Sequence, residues 1–199
     1  MVSITRCWRN ARLTLLPPLL LAALLAMSAA LALASGIEPV RAQLLPGDDG
    51  YVLTAEFTVD LGAQLEEAVT RGVTLNFNLE FTLSRRRWYW ADEHIAGHTL
   101  SYRLAYNALT RQYRLSLAGL HRNFASLDEA LRALGRVADL PIVDKGALKN
   151  GETYTAAVRL ALDKSQLPKP FQVDAIANRE WQVDARVLRW QFVPAAEAK

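Results

Sequence analysis

The longest regular pattern in the chain is VTLNFNLEFTL, residues 73–83. Val73, Leu75, Phe77, Leu79, Phe81 and Leu83 fall on one side, and Thr74, Asn76, Asn78, Glu80 and Thr82 on the other. Side chains of a strand point alternately to its two faces, so this predicts a strand with one face on a core and one in water. The same period recurs upstream. Val40, Ala42 and Leu44, the turn cluster Pro46-Gly47-Asp48-Asp49-Gly50, and then Tyr51, Leu53, Ala55, Phe57 and Val59 predict a hairpin. Downstream, Leu100, Tyr102, Leu104 and Tyr106 predict a strand that returns across Asn107–Thr110 as Tyr113, Leu115 and Leu117. A loop of that length sets Leu104 opposite Tyr113, Tyr102 opposite Leu115 and Leu100 opposite Leu117. Tyr154, Ala156, Val158, Leu160 and Leu162 form a penultimate strand, and Trp181, Val183, Ala185 and Val187 open the last. There the apolar phase slips to Leu188, Trp190 and Phe192, as a bulge would produce.

Two segments change to the helical period. Asp60 is placed to cap LGAQLEEAVTRG, with Leu61, Leu65, Ala68 and Val69 on one face and Gly72 as a left-handed stop. Ser126 with Glu129 is a capping box opening a second helix, whose buried stripe is Leu127, Ala130, Leu131, Leu134 and Val137 and which Leu140-Pro141 is expected to end. About seven strands and two short helices predict a mainly β fold, an antiparallel β-sandwich of immunoglobulin-like type, without the cysteine pair of that type. The connection DKSQLPKPFQVDAIANRE, residues 163–180, is long against ordinary loops of roughly 4 to 6 residues. Pro168 and Pro170 are expected to hold it extended.

The N-terminal pattern is of another kind. Arg6, Arg9 and Arg12 precede the uncharged block Leu13–Ala34, which Pro17-Pro18 interrupts and which closes on Ala32-Leu33-Ala34. These are the parts of a signal peptide, with cleavage expected between Ala34 and Ser35; the alternative is an uncleaved inner-membrane anchor. The chain therefore divides into 1–34, the leader, and 35–199, a single sandwich domain expected to be periplasmic or secreted, touching a membrane only through an uncleaved leader. Three of the 23 Lys+Arg and none of the 20 Asp+Glu lie in the leader, so residues 35–199 are neutral and the basic balance reflects export. A neutral, exported domain excludes nucleic acid as the expected partner. The one cysteine, Cys7, also lies in the leader, which leaves the domain without disulfides and without a lipoprotein-type anchor.

Candidate chemistry centres on the break after Ser84, Arg85-Arg86-Arg87-Trp88-Tyr89-Trp90. Unbroken alternation would send Arg85 and Arg87 into the core, and an unpaired buried charge is costly. A one-residue bulge between Ser84 and Arg87 is the expected remedy, turning Trp88 and Trp90 inward and Arg85, Arg87 and Tyr89 outward, where the arginines also guard an edge. The functional reading of the same residues is a recognition patch, since Arg, Trp and Tyr dominate binding hot spots. Its expected members are Arg85, Arg86, Arg87 and Tyr89, together with Leu167, Pro168, Lys169, Pro170 and Phe171, where proline pre-orders the backbone. An anionic lipid or wall polymer is a further occupant of such a patch.

Asp92, Glu93, His94 and His98 invite a metal reading, but Gly97 and the flanking strand patterns predict a hairpin loop in which the two histidines do not converge. No metal and no cofactor is expected. The nucleophile elbow, the paired-cysteine, the zinc-helix and the phosphate-loop motifs are all absent from the sequence, and no catalytic residue is assigned. Glu66-Glu67 and Asp128-Glu129 read as acids of helix first turns or exposed faces.

The stretches RRRWYWADEHIAGHTLSYRLAYNALTRQYRLSL (85–117) and LPKPFQVDAIANREWQVDA (167–185) resemble an uncharacterised proteobacterial family of exported, leader-bearing proteins defined only as a domain of unknown function. The resemblance implies no reaction and no catalytic residues. Genes of that family adjoin those of a ribosomal RNA methyltransferase and a membrane sensor histidine kinase, which implies a role outside the inner membrane near such a sensor. The expected function is a non-enzymatic protein-interaction or accessory module of the cell envelope, its partner an envelope protein such as the sensor kinase. The alternative is a carrier or sensor of a small amphipathic ligand held between the sheets beside Trp88, Trp90 and Trp190.

Overall fold

The computed structural model describes residues 36–87, 89, 92–169, 171 and 183–194. In chain order these form β1 (Gly36–Pro46), β2 (Gly50–Asp60), α1 (Gly62–Thr70), β3 (Leu75–Arg85), β4 (Glu93–Asn107), β5 (Gln112–Leu117) and β6 (Leu120–Phe124). Then follow α2 (Leu127–Leu134), β7 (Arg136–Asp144), β8 (Tyr154–Leu162), β9 (Asp184–Ala185) and β10 (Leu188–Phe192), with short 3-10 turns at Lys145–Ala147 and Lys164–Gln166. One sheet has the order β7-β2-β1-β9 and the other β10-β8-β3-β4-β5-β6. All pairings are antiparallel except the two-residue pairing of β9 with β1. The protein is mainly β, and its two open sheets form the predicted sandwich, with further strands in β6, in β7 and in the division of the last strand into β9 and β10.

Alternation builds the core directly. Phe77, Leu79, Phe81 and Leu83 of β3 and Ala156, Val158 and Leu160 of β8 are buried, as are Ile37, Leu53, Ala55 and Phe57 of the facing sheet, and all belong to one hydrophobic cluster. The polar residues between them cover the outer face, where Ser101 donates to Asn78 (2.8 Å), Asn78 to Asp163 (3.3 Å) and Arg159 to Glu80 (2.8 Å).

Several expectations change in detail. In the β4–β5 hairpin Leu104 faces Leu115, Tyr102 faces Leu117 and Tyr106 faces Tyr113, a slip of two residues from the predicted register. Asn107 Oδ1 accepts from the Leu109 and Thr110 N–H groups and Arg111 takes φ 54°, which moves the turn one residue on. A two-residue slip returns every side chain to its face, so the core is unaffected. The second helix opens on the capping box as predicted, Ser126 Oγ accepting from the Glu129 N–H, but ends at Leu134 and not at Leu140-Pro141. Gly135 stops it, and residues 136–144 turn into β7, an edge strand where Pro141 costs no ladder bond. Val137 therefore lies on a strand.

The phase slip near the C-terminus is not a bulge. β9 joins β1 in one sheet and β10 joins β8 in the other, so the chain changes sheets between Ala185 and Leu188. Crossing the sandwich reverses which side of the strand faces the core, and the apolar phase must reverse with it.

Candidate functional site

The break after Ser84 lies at one end of the six-stranded sheet. β3 stays in register with β8 through Arg85, with Leu83 opposite Ala156 and Arg85 opposite the buried Tyr154. The irregularity falls on β4 instead, where Ile95 is the extra residue between the pairs Leu83–Ala96 and Ser84–His94. Arg85 thus keeps the phase of Leu83 on the core-facing side, contrary to the expected bulge on β3. Charge pairing resolves the cost that the bulge was expected to avoid.

Glu93 is the direct cross-strand neighbour of Arg85. Its Oε2 accepts from Arg85 Nε (2.9 Å), from Arg85 Nη2, and from Arg87 Nη2 (2.7 Å). Arg85 Nη1 donates to Glu152 Oε2 at 2.5 Å, and Lys149 Nζ lies 4.0 Å from the other oxygen. The loop that brings Glu152 is held in turn by Tyr154, whose hydroxyl accepts the Lys149 N–H (2.9 Å). Hydrogen bonds from Arg85 and then Arg87 hold the Glu93 carboxyl below the usual carboxylate range, and a hydrogen bond from Arg85 does the same for Glu152. The same contacts raise the Arg85 guanidinium above its ordinary value, first through Glu152 and then Glu93. With the Arg85 side chain only 23% exposed, two shared carboxylates satisfy its fork.

Arg86 is exposed and has no ion-pair partner among the described residues, and Tyr89 is 66% exposed. Together with Arg85, Arg87, Glu152 and Gln191 they line an open concavity of about 860 Å³. Trp88 and Trp90 lie outside the described residues, and so does their expected inward turn.

The second half of the expected patch is elsewhere. From Arg85–Tyr154 the β3–β8 register runs to Phe77–Leu162, eight residues or roughly 26 Å at about 3.3 Å per residue. Leu167 to Phe171 follow that far end, so the two groups do not form one surface. Leu167 is 3% exposed and belongs to the core, and Phe171 packs against it; Pro168 and Lys169 are exposed, and Pro170 lies outside the described residues. The Phe171 N–H donates to the Pro168 carbonyl (2.9 Å), a closed turn in place of the expected extended segment. Residues 172–180 of the connection lie outside the described residues.

His94 and His98 belong to β4 and not to a hairpin loop. His98 lies opposite Phe81 and donates its Nε2–H to the Ile142 carbonyl of the facing sheet (2.9 Å), tying β4 to β7. Among the described residues no group of three or more His, Cys, Asp or Glu is gathered to hold an ion. Asp128 and Glu129 occupy the first turn of α2, and of the other expected pair Glu67 is exposed and Glu66 half-buried, both beyond the first turn of α1. Glu67 pairs with Arg71 (2.5 Å), and burial followed by Asp60 and Asp128 raises the Glu66 carboxyl.

Trp190 packs against Phe81 (ring centroids 6.3 Å) and Phe192 against Tyr51 (5.1 Å, edge on), so among the described residues the partly buried Trp190 serves as packing. What sequence reasoning missed is the acidic half of the site. Glu93 stood out only as a metal candidate, and Glu152 is 67 residues from Arg85 with no motif linking them. The one local signal was the charge itself, since Arg85 and Arg87 in the phase of the core face require acids from somewhere.

No curated protein and no solved structure matches the chain. A model of one family, described as Domain of unknown function (DUF4390), matches residues 34–191, and the chain belongs to that family.

Proposed function

We propose that the protein is an exported, non-enzymatic interaction module of the bacterial envelope that docks a protein partner at the sandwich end bearing Arg86 and Tyr89. The observation that carries this reading is the concavity of about 860 Å³, in which an uncompensated arginine and an exposed tyrosine stand beside a floor fixed by the Arg85–Glu93–Glu152 network. Arginine and tyrosine are over-represented among residues that dominate binding energy, and pre-ordering the floor lowers the entropic cost of docking. Arg85 and Arg87 serve as scaffold, so among the described residues the recognising cation at this end is Arg86. The matching partner surface offers a carboxylate beside an apolar patch. The gene neighbourhood implied by the family resemblance makes the exported region of a membrane sensor kinase the first partner to test. Among the described residues no helix is long and apolar enough to cross a membrane.

The test is an in vivo photo-crosslink from position 89 in the full-length chain, with adducts identified by mass spectrometry. One envelope protein is expected, and the adduct should be lost in Arg86→Ala, a substitution at an exposed side chain with no ion-pair partner among the described residues, which leaves folding intact. An adduct indifferent to Arg86, or none at all with the protein correctly exported, refutes docking at this end.

A further inference from the structure

The six-stranded sheet overhangs the four-stranded one at its β5–β6 side. α2 covers part of the overhang, and between it, β7 and the core-facing side of β4–β6 lies a cleft of about 420 Å³. That volume is within the roughly 300 to 1,000 Å³ of small-molecule sites. One wall carries Leu100, Leu117 and Leu120, and the other Val137 and Leu140. Leu120 is 78% exposed although its register partner Leu117 faces the core, which puts an uncovered leucine at the mouth.

Three polar features interrupt these walls. Tyr102 is 6% exposed, yet its hydroxyl has no hydrogen-bond partner among the described residues, and no side-chain polar atom is both sealed from solvent and unsatisfied. The hydroxyl is therefore not sealed from solvent, and Tyr102 is one of the residues that line the cleft. Arg122 lies opposite Leu115 in the β5–β6 register, which places it on the core-facing side of the edge strand with its guanidinium 5.4 Å from the Phe124 ring centroid. Arg136 lines the cleft from β7. Neither arginine has a carboxylate partner among the described residues, and no Asp or Glu is among the lining residues.

An inward charge on an edge strand also discourages edge-to-edge pairing, and that role alone accounts for Arg122. It leaves the unpartnered hydroxyl and the apolar cleft behind it unexplained. A slot between two walls admits a slender chain and not a flat protein surface, and its charged lining is wholly cationic. From these features we infer that the cleft binds a single-chain amphiphilic carboxylate of the fatty-acid class. The alkyl chain lies between Leu117 and Leu140, the carboxylate meets Arg122, and the Tyr102 hydroxyl donates to an oxygen of the same head group. Backbone strain is concentrated here too. Ala118 lines the cleft at φ 48°, and Asp139, at φ 50°, forms the β7 bulge between the lining residues Ala138 and Leu140. Non-glycine residues in that region cost about 1 kcal/mol or more and gather at ligand sites.

The test titrates the purified full-length protein with oleate below its micellar range and follows heat release, with oleyl alcohol as the neutral-head control. Saturable binding at one site is expected, with the alcohol weaker by roughly tenfold, the size of one charge-assisted hydrogen bond. Arg122→Gln should lose a similar factor. Ala138→Phe fills the cleft from an exposed position and should abolish binding. Leu120→Asp sets a carboxylate at the mouth without disturbing buried residues, and should weaken oleate by at least tenfold while the thermal midpoint stays near wild type. No saturable binding by the wild type overturns the inference. Equal affinity for the alcohol, or oleate binding untouched by Leu120→Asp and Arg122→Gln, overturns it as well, because the fatty chain would then be adsorbing elsewhere.

Discussion

Replacing Gly135 by alanine tests how α2 is fastened to the four-stranded sheet. Gly135 closes the helix at φ −72° and ψ −7°, a conformation open to any residue, so backbone freedom is not what glycine supplies here. A Cβ at that position would lie 2.3 Å from the Phe57 carbonyl oxygen, and 3.4 Å from that of Leu131. The close oxygen is backbone and belongs to a strand whose Phe57 N–H donates to the Gly135 carbonyl at 2.8 Å. Restoring ordinary contact, roughly 3.5 Å between such atoms, requires helix and strand to separate by about 1 Å. That displacement stretches the 2.8 Å bond out of hydrogen-bond range. Overpacking costs about 1 to 3 kcal/mol and the orphaned polar pair about 1 to 3 more, against a gain of about 0.4 to 1 from the stiffer unfolded chain. The net expectation is about 2 to 5 kcal/mol, or a thermal midpoint lowered by roughly 5 to 20 °C in a domain of this size. Gly146→Ala is the control, since nothing lies within 4 Å of its Cβ, and it should be neutral or slightly stabilising. Denaturant unfolding of both variants measures the difference. If Gly135→Ala comes within about 1 kcal/mol of wild type, the helix is not seated by this close approach.

Acid should loosen the Arg85 cluster. Glu93 and Glu152 titrate below their unfolded values, so their stabilisation is complete above the ordinary carboxylate range and is lost as pH falls through the depressed folded values. In Glu93→Gln/Glu152→Gln the fall of thermal midpoint between about pH 5 and pH 3 should be shallower than in wild type; an identical slope would refute the pairing. Leu167→Ala should cost about 2 to 5 kcal/mol, as expected for a buried leucine, while Lys169→Ala stays within about 0.5, and the reverse order would restore the segment as a presented surface. Ala118→Gly should stabilise by up to about 1 kcal/mol by relieving a left-handed alanine, read as a raised denaturant midpoint.

Period-two alternation made β2, β3, β5 and β8 legible because each buries one face of a continuous run, and a capping box made the start of α2 legible because its partners are three residues apart. What was not legible was the remedy at each break in phase. After Ser84 the remedy is an extra residue on the neighbouring strand plus two distant acids, and near Val187 it is a change of sheet. Both look alike in sequence, since a shifted apolar phase reports only that the chain must do something. Which remedy applies depends on residues such as Ile95, Glu93 and Glu152 that no local spacing ties to the break. β6 escaped notice because LHRNF is polar at an edge, and its one signal was Ala118-Gly119, a two-residue turn with both φ positive. The apolar cleft escaped for a related reason, as its walls come from β4, β5, β6 and β7 and meet only in the folded chain.

The two candidate sites hold their cations differently, and this separates what each recognises. At the β3 end the Arg85 fork is already shared between Glu93 and Glu152, so an incoming anion would have to displace carboxylates held in charge-assisted hydrogen bonds. A small anion gains little there. A protein surface, adding Tyr89 and Arg86 contacts over a wide area, gains without displacing anything. At the cleft the Arg122 guanidinium has a ring and, among the described residues, no carboxylate, so one small anion is enough to complete it. The β3–β4 register carries Arg85 at one end and Tyr102, opposite Phe77, near the other, far beyond the roughly 7 to 10 Å over which substitutions ordinarily couple. Arg122→Gln should therefore leave the crosslink from position 89 unchanged, and Arg86→Ala should leave oleate affinity unchanged. If oleate instead alters the crosslink, the sandwich transmits between its ends, and the rigid ion-paired floor argued for the β3 end would have to be given up.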